Sequence, residues 1–500
     1  MKNHQLSRRE FLKYATLTSG AAVLAACTQA TPEKIVETVE VPVMQTEIVK
    51  ETVEVKETVK ETVVVEATAA PTQAPQPKKV EGKVVVMHAR NELTEEEQTQ
   101  FETDNPGITI EFIQSDGNRF SAMMAAGTPP DMYRTVASSV APALIKKQVL
   151  DLTPYFQVSS VLKIDDLAPA NRAYWAEDAL HLGVGKIYGI TKDWSPMQTL
   201  FINTELFEKA GLDIPADDQF MSVAESGELA RKLTQREGDR TLVWGFGGDP
   251  VDWNVDLNVW AHVAETEGVN SSNRYLGVLY DEVFTKINLT SNEKIKEAFK
   301  FYFDLAKERA MSSPVDPSSG WSGQDFADGK VAIAVEGYWF GAMAETDITR
   351  GKVKALPSRR WAADGKPLDA CTATGAMISA TTPNPDATWR VFEWYHGEQP
   401  AIARAKSGWG VPALMSLYSY LPMETEYDKQ RYKVLQWELE NVDCGTPIPQ
   451  IPWGTSYWFT QLWNKQMEPA YRDEITYDEA LVSLESEING LLSDAFSRFK

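Results

Sequence analysis

Residues 84–112 read as strand, helix, strand, and that rhythm constrains the architecture more than any other feature of the chain. Val84-Val85-Val86-Met87 is a short continuous apolar run, the mark of a strand covered on both faces. Glu95 to Thr103 follows as a helix, stopped by Asn105-Pro106-Gly107, and Ile108-Thr109-Ile110-Glu111-Phe112 alternates as a second strand. Two strands joined by a helix make a parallel pair with the helix laid across it. The pattern returns late. Ala376-Met377-Ile378-Ser379 reads as a strand, and Asn384-Pro385 opens a helix that Gly397 closes, with Trp389, Phe392 and Tyr395 on one face. Between them, Thr290 and Glu293 have the spacing of a capping box ahead of an apolar stripe of Ile295, Phe299, Tyr302 and Leu305. These stripes are core positions. A chain of 500 residues is too long for one such core and calls for two or three domains.

The first 80 residues are of another kind. Ser7-Arg8-Arg9-Glu10-Phe11-Leu12-Lys13 is a twin-arginine pattern, followed by a mild apolar run from Tyr14 to Ala26. The run is too short to span a bilayer and reads as an export signal over residues 1–27. It ends in Leu24-Ala25-Ala26-Cys27, a lipobox-like sequence in which Cys27 supplies the thiol for a diacylglycerol anchor. Residues 28–80 repeat Lys-Glu-Thr-Val at 50–53, 56–59 and 60–63, carry no aromatic residue and close on Pro71, Pro75 and Pro77. A tract that buries nothing is read as an extended stalk, long enough to reach on the order of 150 Å. The signal and the stalk carry net charges of +3 and −3, so the body carries the whole formal −22. So acidic a body argues against nucleic acid and fits solubility outside the cell. Cys371 and Cys444 show no metal-ligand spacing. An oxidising compartment permits them to pair, but the expectation is two separate buried thiols.

Five blocks, in order, resemble the extracellular solute-binding proteins of the sugar-binding group, to which maltodextrin-binding protein belongs. They are Phe101 to Ile110; Ala125-Ala126-Gly127-Thr128-Pro129-Pro130-Asp131; Gly185 to Ile190 with Leu200 to Asn203 and Leu206 to Leu212; Phe326 to Ile333 with Glu336-Gly337-Tyr338-Trp339; and Thr374 to Ser379 with Pro383 to Trp389. The resemblance spans most of residues 83–490. Thr191 stands where the family usually has Pro, and Ile202-Asn203-Thr204 replaces its Tyr-Asn-Lys. The resemblance implies an α/β, two-lobed, type II periplasmic-binding-protein-like fold. Each lobe would be a mostly parallel sheet flanked by helices, with hinge strands between the lobes and the ligand in the cleft. Lobe 1 is expected over 81–197 and 371–405, and lobe 2 over 198–370 and 406–500. The implied function is the extracytoplasmic substrate-binding component of an ABC importer. It would be a monomer held to the outer face of the membrane through Cys27, delivering a carbohydrate to the permease without catalysis, cofactor or metal.

A sugar presents apolar C–H faces and rings of hydroxyls, so its site needs aromatic plates together with carboxylates, amides and Arg. Fifteen Trp and 17 Tyr exceed what one site uses, and position must choose among them. Trp339 follows a strand end at Gly337, in the segment where the family places a stacking ring. Trp409 lies between Gly408 and Gly410, and Asp193-Trp194 precedes the strand 200–202 at the expected crossover. Trp253 and one of Trp453 and Trp458 complete the aromatic candidates. Arg90 and Asn91 follow the first strand, Arg134 and Ser138 follow the next, and Glu336 precedes Trp339. Asp131 is read as a turn cap and His88 as structural. The chief alternative is a secreted glycoside hydrolase with two opposed carboxyls. No Gly-x-Ser-x-Gly, His-Glu-x-x-His, Cys-x-x-Cys or Gly-rich dinucleotide loop supports another enzyme class. A surface adhesin is the third reading.

Overall fold

The structure is a computed structural model that describes residues 80–248, 279–281, 283–361, 365, 367, 369–447, 450–453 and 457–499. The signal, Cys27, the repeat tract and Trp253 lie outside the described residues, as does part of the segment 448–456. In chain order the principal strands are β1 (Gly82–His88), β2 (Ile108–Gln114), β3 (Met132–Val136), β4 (Gly189–Pro196), β5 (Thr199–Asn203), β6 (Gln235–Glu237), β7 (Arg240–Phe246), β8 (Val331–Glu336), β9 (Val353–Leu356), β10 (Cys371–Ile378) and β11 (Val411–Pro412). The principal helices are α1 (Glu95–Asp104), α2 (Val223–Leu233), α3 (Glu293–Lys307), α4 (Pro385–Gly397), α5 (Gln399–Ser407), α6 (Glu426–Asn441), α7 (Tyr457–Tyr471) and α8 (Tyr477–Phe499).

These strands divide between two sheets. The first has the order β11-β4-β10-β3-β1-β2 and the second β9-β5-β8-β7-β6. In the first, β1 runs parallel to β2 and to β3, with Val84 opposite Ile110 and Val86 opposite Met132. The α1 crossover starts at Thr94, which forms a full capping box with Glu97. β10 enters antiparallel between β3 and β4. Its core joins Val84, Ile110, Met132, Ile190 and Ile378 to the α4 face of Trp389, Phe392 and Tyr395. In the second sheet β8 is parallel to β7 and antiparallel to β5. Its core gathers Leu200, Ile202 and Ile333 against Phe299 and Tyr302 of α3 and Leu484 of α8. Asp131, read as a turn cap, instead ties the turn to β1: its Oδ2 accepts the Val85 N–H at 2.8 Å.

Three sequence expectations shift. α3 is capped by Asn292, whose side chain accepts from the N–H of Lys294 and Ile295; Thr290 instead bonds Glu485 of α8. The chain does not leave the first half at residue 406. β11 still pairs with β4, and Leu414 and Leu417 lie in the first core. Cys371 and Cys444 are not separate thiols: they form a disulfide, with Cα atoms 4.8 Å apart across a sequence separation of 73.

That bond ties the start of β10 to the segment just beyond α6. In the chain-entropy account, closing a loop of this length stabilises the fold by about 4 kcal/mol. Guanidinium unfolding of the Cys371→Ser/Cys444→Ser double variant should therefore show a lower midpoint and a steeper slope, because the unfolded chain is less compact without the bond. The same shift should follow when the wild type is reduced. Equal midpoints under all three conditions would mean that the bond does not constrain the unfolded chain.

Candidate ligand-binding cleft

The two sheets are joined where β4 runs into β5 through Met197 and Gln198, and where β9 runs to β10 through 357–370. Two carboxylates hold these crossings. Asp369 Oδ1 accepts the N–H groups of Met197, Gln198 and Ala370 at 2.8, 3.1 and 2.7 Å. Glu438, on α6, accepts Thr199 Oγ1 at 2.8 Å and the Ser358 N–H at 3.0 Å, so that one helix residue grips both crossings. Asp369 is 4% exposed and Glu438 fully buried. Burial, then the neighbouring carboxylate in the case of Glu438, raises both above the ordinary carboxylate range.

Above the crossings, indole rings carried by the two sheets meet. Gly337 ends β8 and leads into the turn Tyr338–Phe340. A Cβ on Gly337 would lie 2.4 Å from Ser195 Oγ of β4, so only glycine lets the β8 end pass this close to the first sheet. Trp339 is half-buried. Its ring lies 6.2 Å from that of Trp409, which comes from the loop between α5 and β11 on the side of the first sheet. Gly408 closes α5 in the left-handed conformation at φ 66°, and a Cβ on Gly410 would lie 2.9 Å from Asp193 Cβ. Gly410 thus lets the Trp409 loop lie against β4.

A third ring was not among the sequence candidates. Trp321, 45% exposed, stacks on Trp339 with centroids 5.7 Å apart and planes 14° from parallel. It lies within Gly320-Trp321-Ser322-Gly323, the same glycine-flanked signal that singles out Trp409. Glu336 is buried and accepts the Ser322 hydroxyl at 2.8 Å, so it fixes the residue beside Trp321 and does not face open space.

A chain of ion pairs runs from the Trp409 loop along the ends of the first-sheet strands. Asp193 pairs with Lys192; Lys192 lies 3.4 Å from Glu92; and Arg134 clasps Glu92 through two bonds of 2.7 and 3.1 Å. Burial pushes the Glu92 carboxyl up, but Lys192 and Arg134 outweigh it and hold the group at about 2. Asp193 moves the other way, because burial outweighs Lys192. His88 is buried beside Glu92, and burial depresses it to about 3, so it stays neutral and structural. In this chain Arg134 keeps its side chain 30% exposed.

The other candidates fall elsewhere. Asn91 and Ser138 are exposed at the ends of the first-sheet strands. Arg90 is turned onto α1: its guanidinium lies 3.3 Å from the centre of the Phe112 ring and donates to Leu93 O and Gln98. Trp194 is not a plate. β4 is an interior strand, and Trp194 is 3% exposed, donates to Pro412 O at 2.9 Å and packs with Tyr338 and Leu435. Trp453 donates to Val283 O and lies against Phe496 and Phe499 of α8, away from the other indoles. Trp458 belongs to α7, but its side chain is not among those described. Among the described residues no group of three or more His, Cys, Asp or Glu could hold a metal, and no helix is long and apolar enough to cross a membrane.

A family model for bacterial extracellular solute-binding proteins matches residues 88–401. The chain belongs to that family. Membership places this solute-binding protein outside the cytoplasm. No curated protein sequence matches it. Solved structures do. An ABC substrate-binding protein from Listeria monocytogenes in complex with cycloalternan superposes with a TM-score of 0.65 at 20% identity, over 82% of this chain and 98% of that one. A solute-binding protein from Thermotoga lettingae bound with α-D-tagatose gives 0.62 at 17%, over 82% and 99%. The GacH receptor of Streptomyces glaucescens gives 0.60 at 20%, over 83% and 99%. The fold is therefore the two-lobed type II α/β architecture, the two sheets being the cores of its lobes.

The raised carboxyls at the crossings carry a sign. A folded state that keeps a proton the unfolded state has lost becomes less stable as pH rises above the unfolded carboxylate range. Each tenfold difference in proton affinity between the two states is worth about 1.4 kcal/mol. Asp369→Asn keeps the acceptor for the three N–H groups and removes the charge. Its melting temperature relative to wild type should therefore climb from pH 5 to pH 8. A difference that stays flat across that window would show that Asp369 is ionised throughout.

Proposed function

We propose that this protein captures a carbohydrate between its two lobes and hands it to the permease of an ABC importer. The observation that carries the reading is the meeting of Trp339 from one lobe with Trp409 from the other. A sugar face laid along such rings touches both lobes only when they are together, so its binding favours the closed form. Trp321 extends the indole surface, and in this reading Arg134, Asn91 and Ser138, which keep exposed surface at the strand ends, supply the polar contacts to hydroxyls. The bound cycloalternan and tagatose of the structural relatives support a carbohydrate in preference to a peptide or metal. The same reading has the chain exported by the twin-arginine signal, anchored by a lipid on Cys27, set off from the membrane by the tract 28–80, and acting as a monomer.

Capture without catalysis fits the placement of the carboxylates. Asp369 and Glu438 are two neighbouring carboxylates whose charges interact. They are buried at the crossings and bonded to backbone and hydroxyl groups, beyond reach of a glycosidic bond.

A thermal-shift screen over mono- and oligosaccharides should find a sugar that raises the melting temperature by mass action. Trp339→Ala should weaken that sugar about tenfold in calorimetry, the worth of one lost stacking contact. Stabilisation by peptides or metal ions, with none by any carbohydrate, would overturn the assignment.

A further inference from the structure

Arg431 lies in the middle of α6, where a charged residue ordinarily faces water, yet it is 2% exposed. A cation so buried must be met by partners, and its partners come from both loops that carry the facing indoles. Nη1 donates to Gly408 O at 3.3 Å, the residue before Trp409. The guanidinium lies 4.7 Å from the centre of the Tyr338 ring, the residue before Trp339. Nη2 is held by Asp428 one turn back on α6, and Tyr427 closes the other side at 5.6 Å.

The backbone on both sides makes room for this one side chain. A Cβ on Gly408 would lie 2.5 Å from Nη2, and a Cβ on Gly341, just past Trp339, would lie 2.4 Å from Cδ. Glycine at both places lets the two loops close on the guanidinium. No group of a ligand could reach it.

We infer that Arg431 is a positioning residue that sets the spacing and tilt of Trp339 against Trp409 across the cleft, and through them the affinity for the ligand. The inference rests on the carbohydrate reading for its effect on binding, but not for its effect on the rings. A planar fork can serve a carbonyl on one loop and an aromatic face on the other at once. A lysine ammonium in the same place meets only one of them.

The test reads the rings without ligand. Paired indoles give an exciton signal in circular dichroism, and the part due to this pair is what Trp409→Phe removes. Arg431→Met should remove the same part, and Trp409→Phe added to it should remove nothing more. Arg431→Lys, which keeps the buried charge, should also lose most of it and serves where the Met variant does not fold. Leu481→Ala, in the distant α8 core, should lower stability and leave the signal intact. Titration with the maltose-to-maltotetraose series should show roughly tenfold weaker binding in the Arg431 variants. A wild-type signal in Arg431→Lys or Arg431→Met, or a full Trp409→Phe effect in either background, would overturn the inference. A wild type that ignores the sugar series excludes malto-oligosaccharides as the ligand and nothing else, since the ligand-free spectra still decide the role of Arg431.

Discussion

Two crossings between the lobes depend on a polar side chain buried in one helix. Glu438 of α6 reaches Thr199 after the first crossing and Ser358 at the start of the second. Gln430, two turns earlier, bonds the N–H and C=O of Ala355 at 3.1 and 2.7 Å, and Arg431 binds the loop beyond α5. The disulfide from Cys444 then ties the chain beyond α6 to the start of β10. A buried polar group left without a partner costs about 1–3 kcal/mol, more if charged. Each of these contacts is therefore stiff against small displacements.

The site follows from that constraint. Because α6 fixes where the lobes meet, the ends of β8 and α5 come together, and glycines at 337, 341, 408 and 410 remove the Cβ atoms that would hold them apart. What remains between the lobes is a row of indoles at 5.7 and 6.2 Å spacing, beside a line of ion pairs that consumes most of its own charge. A surface of flat apolar faces edged by satisfied ions suits a neutral, hydroxyl-bearing guest better than a strongly charged one.

Much of this is legible in the sequence. The β1–α1–β2 unit shows itself through local signals, namely a continuous apolar run, a capping box and an Asn-Pro-Gly stop, and Trp339 and Trp409 through glycine neighbours. Trp321 carries the same signal but lies far from any strand end in sequence, so reasoning from strand ends does not reach it. Trp194 reads as a plate in sequence because β4 is buried along its whole length, so that Lys192 and Asp193 mimic a polar turn while pairing in the interior. Arg431, Glu438 and the cysteine pair are hidden for one reason. A charge in mid-helix and two thiols 73 residues apart look the same whether they face water or meet distant partners, and only the packing of α6 distinguishes the cases.

The central claim is that the halves rotate about these crossings when a sugar enters. Spin labels at Glu96→Cys on α1 and Asp347→Cys beyond β8, both exposed and on different halves, would report that rotation as a distance distribution. With a saturating carbohydrate that gives measurable binding heat, the distribution should shorten and narrow. The same distribution with and without that bound sugar would contradict the account.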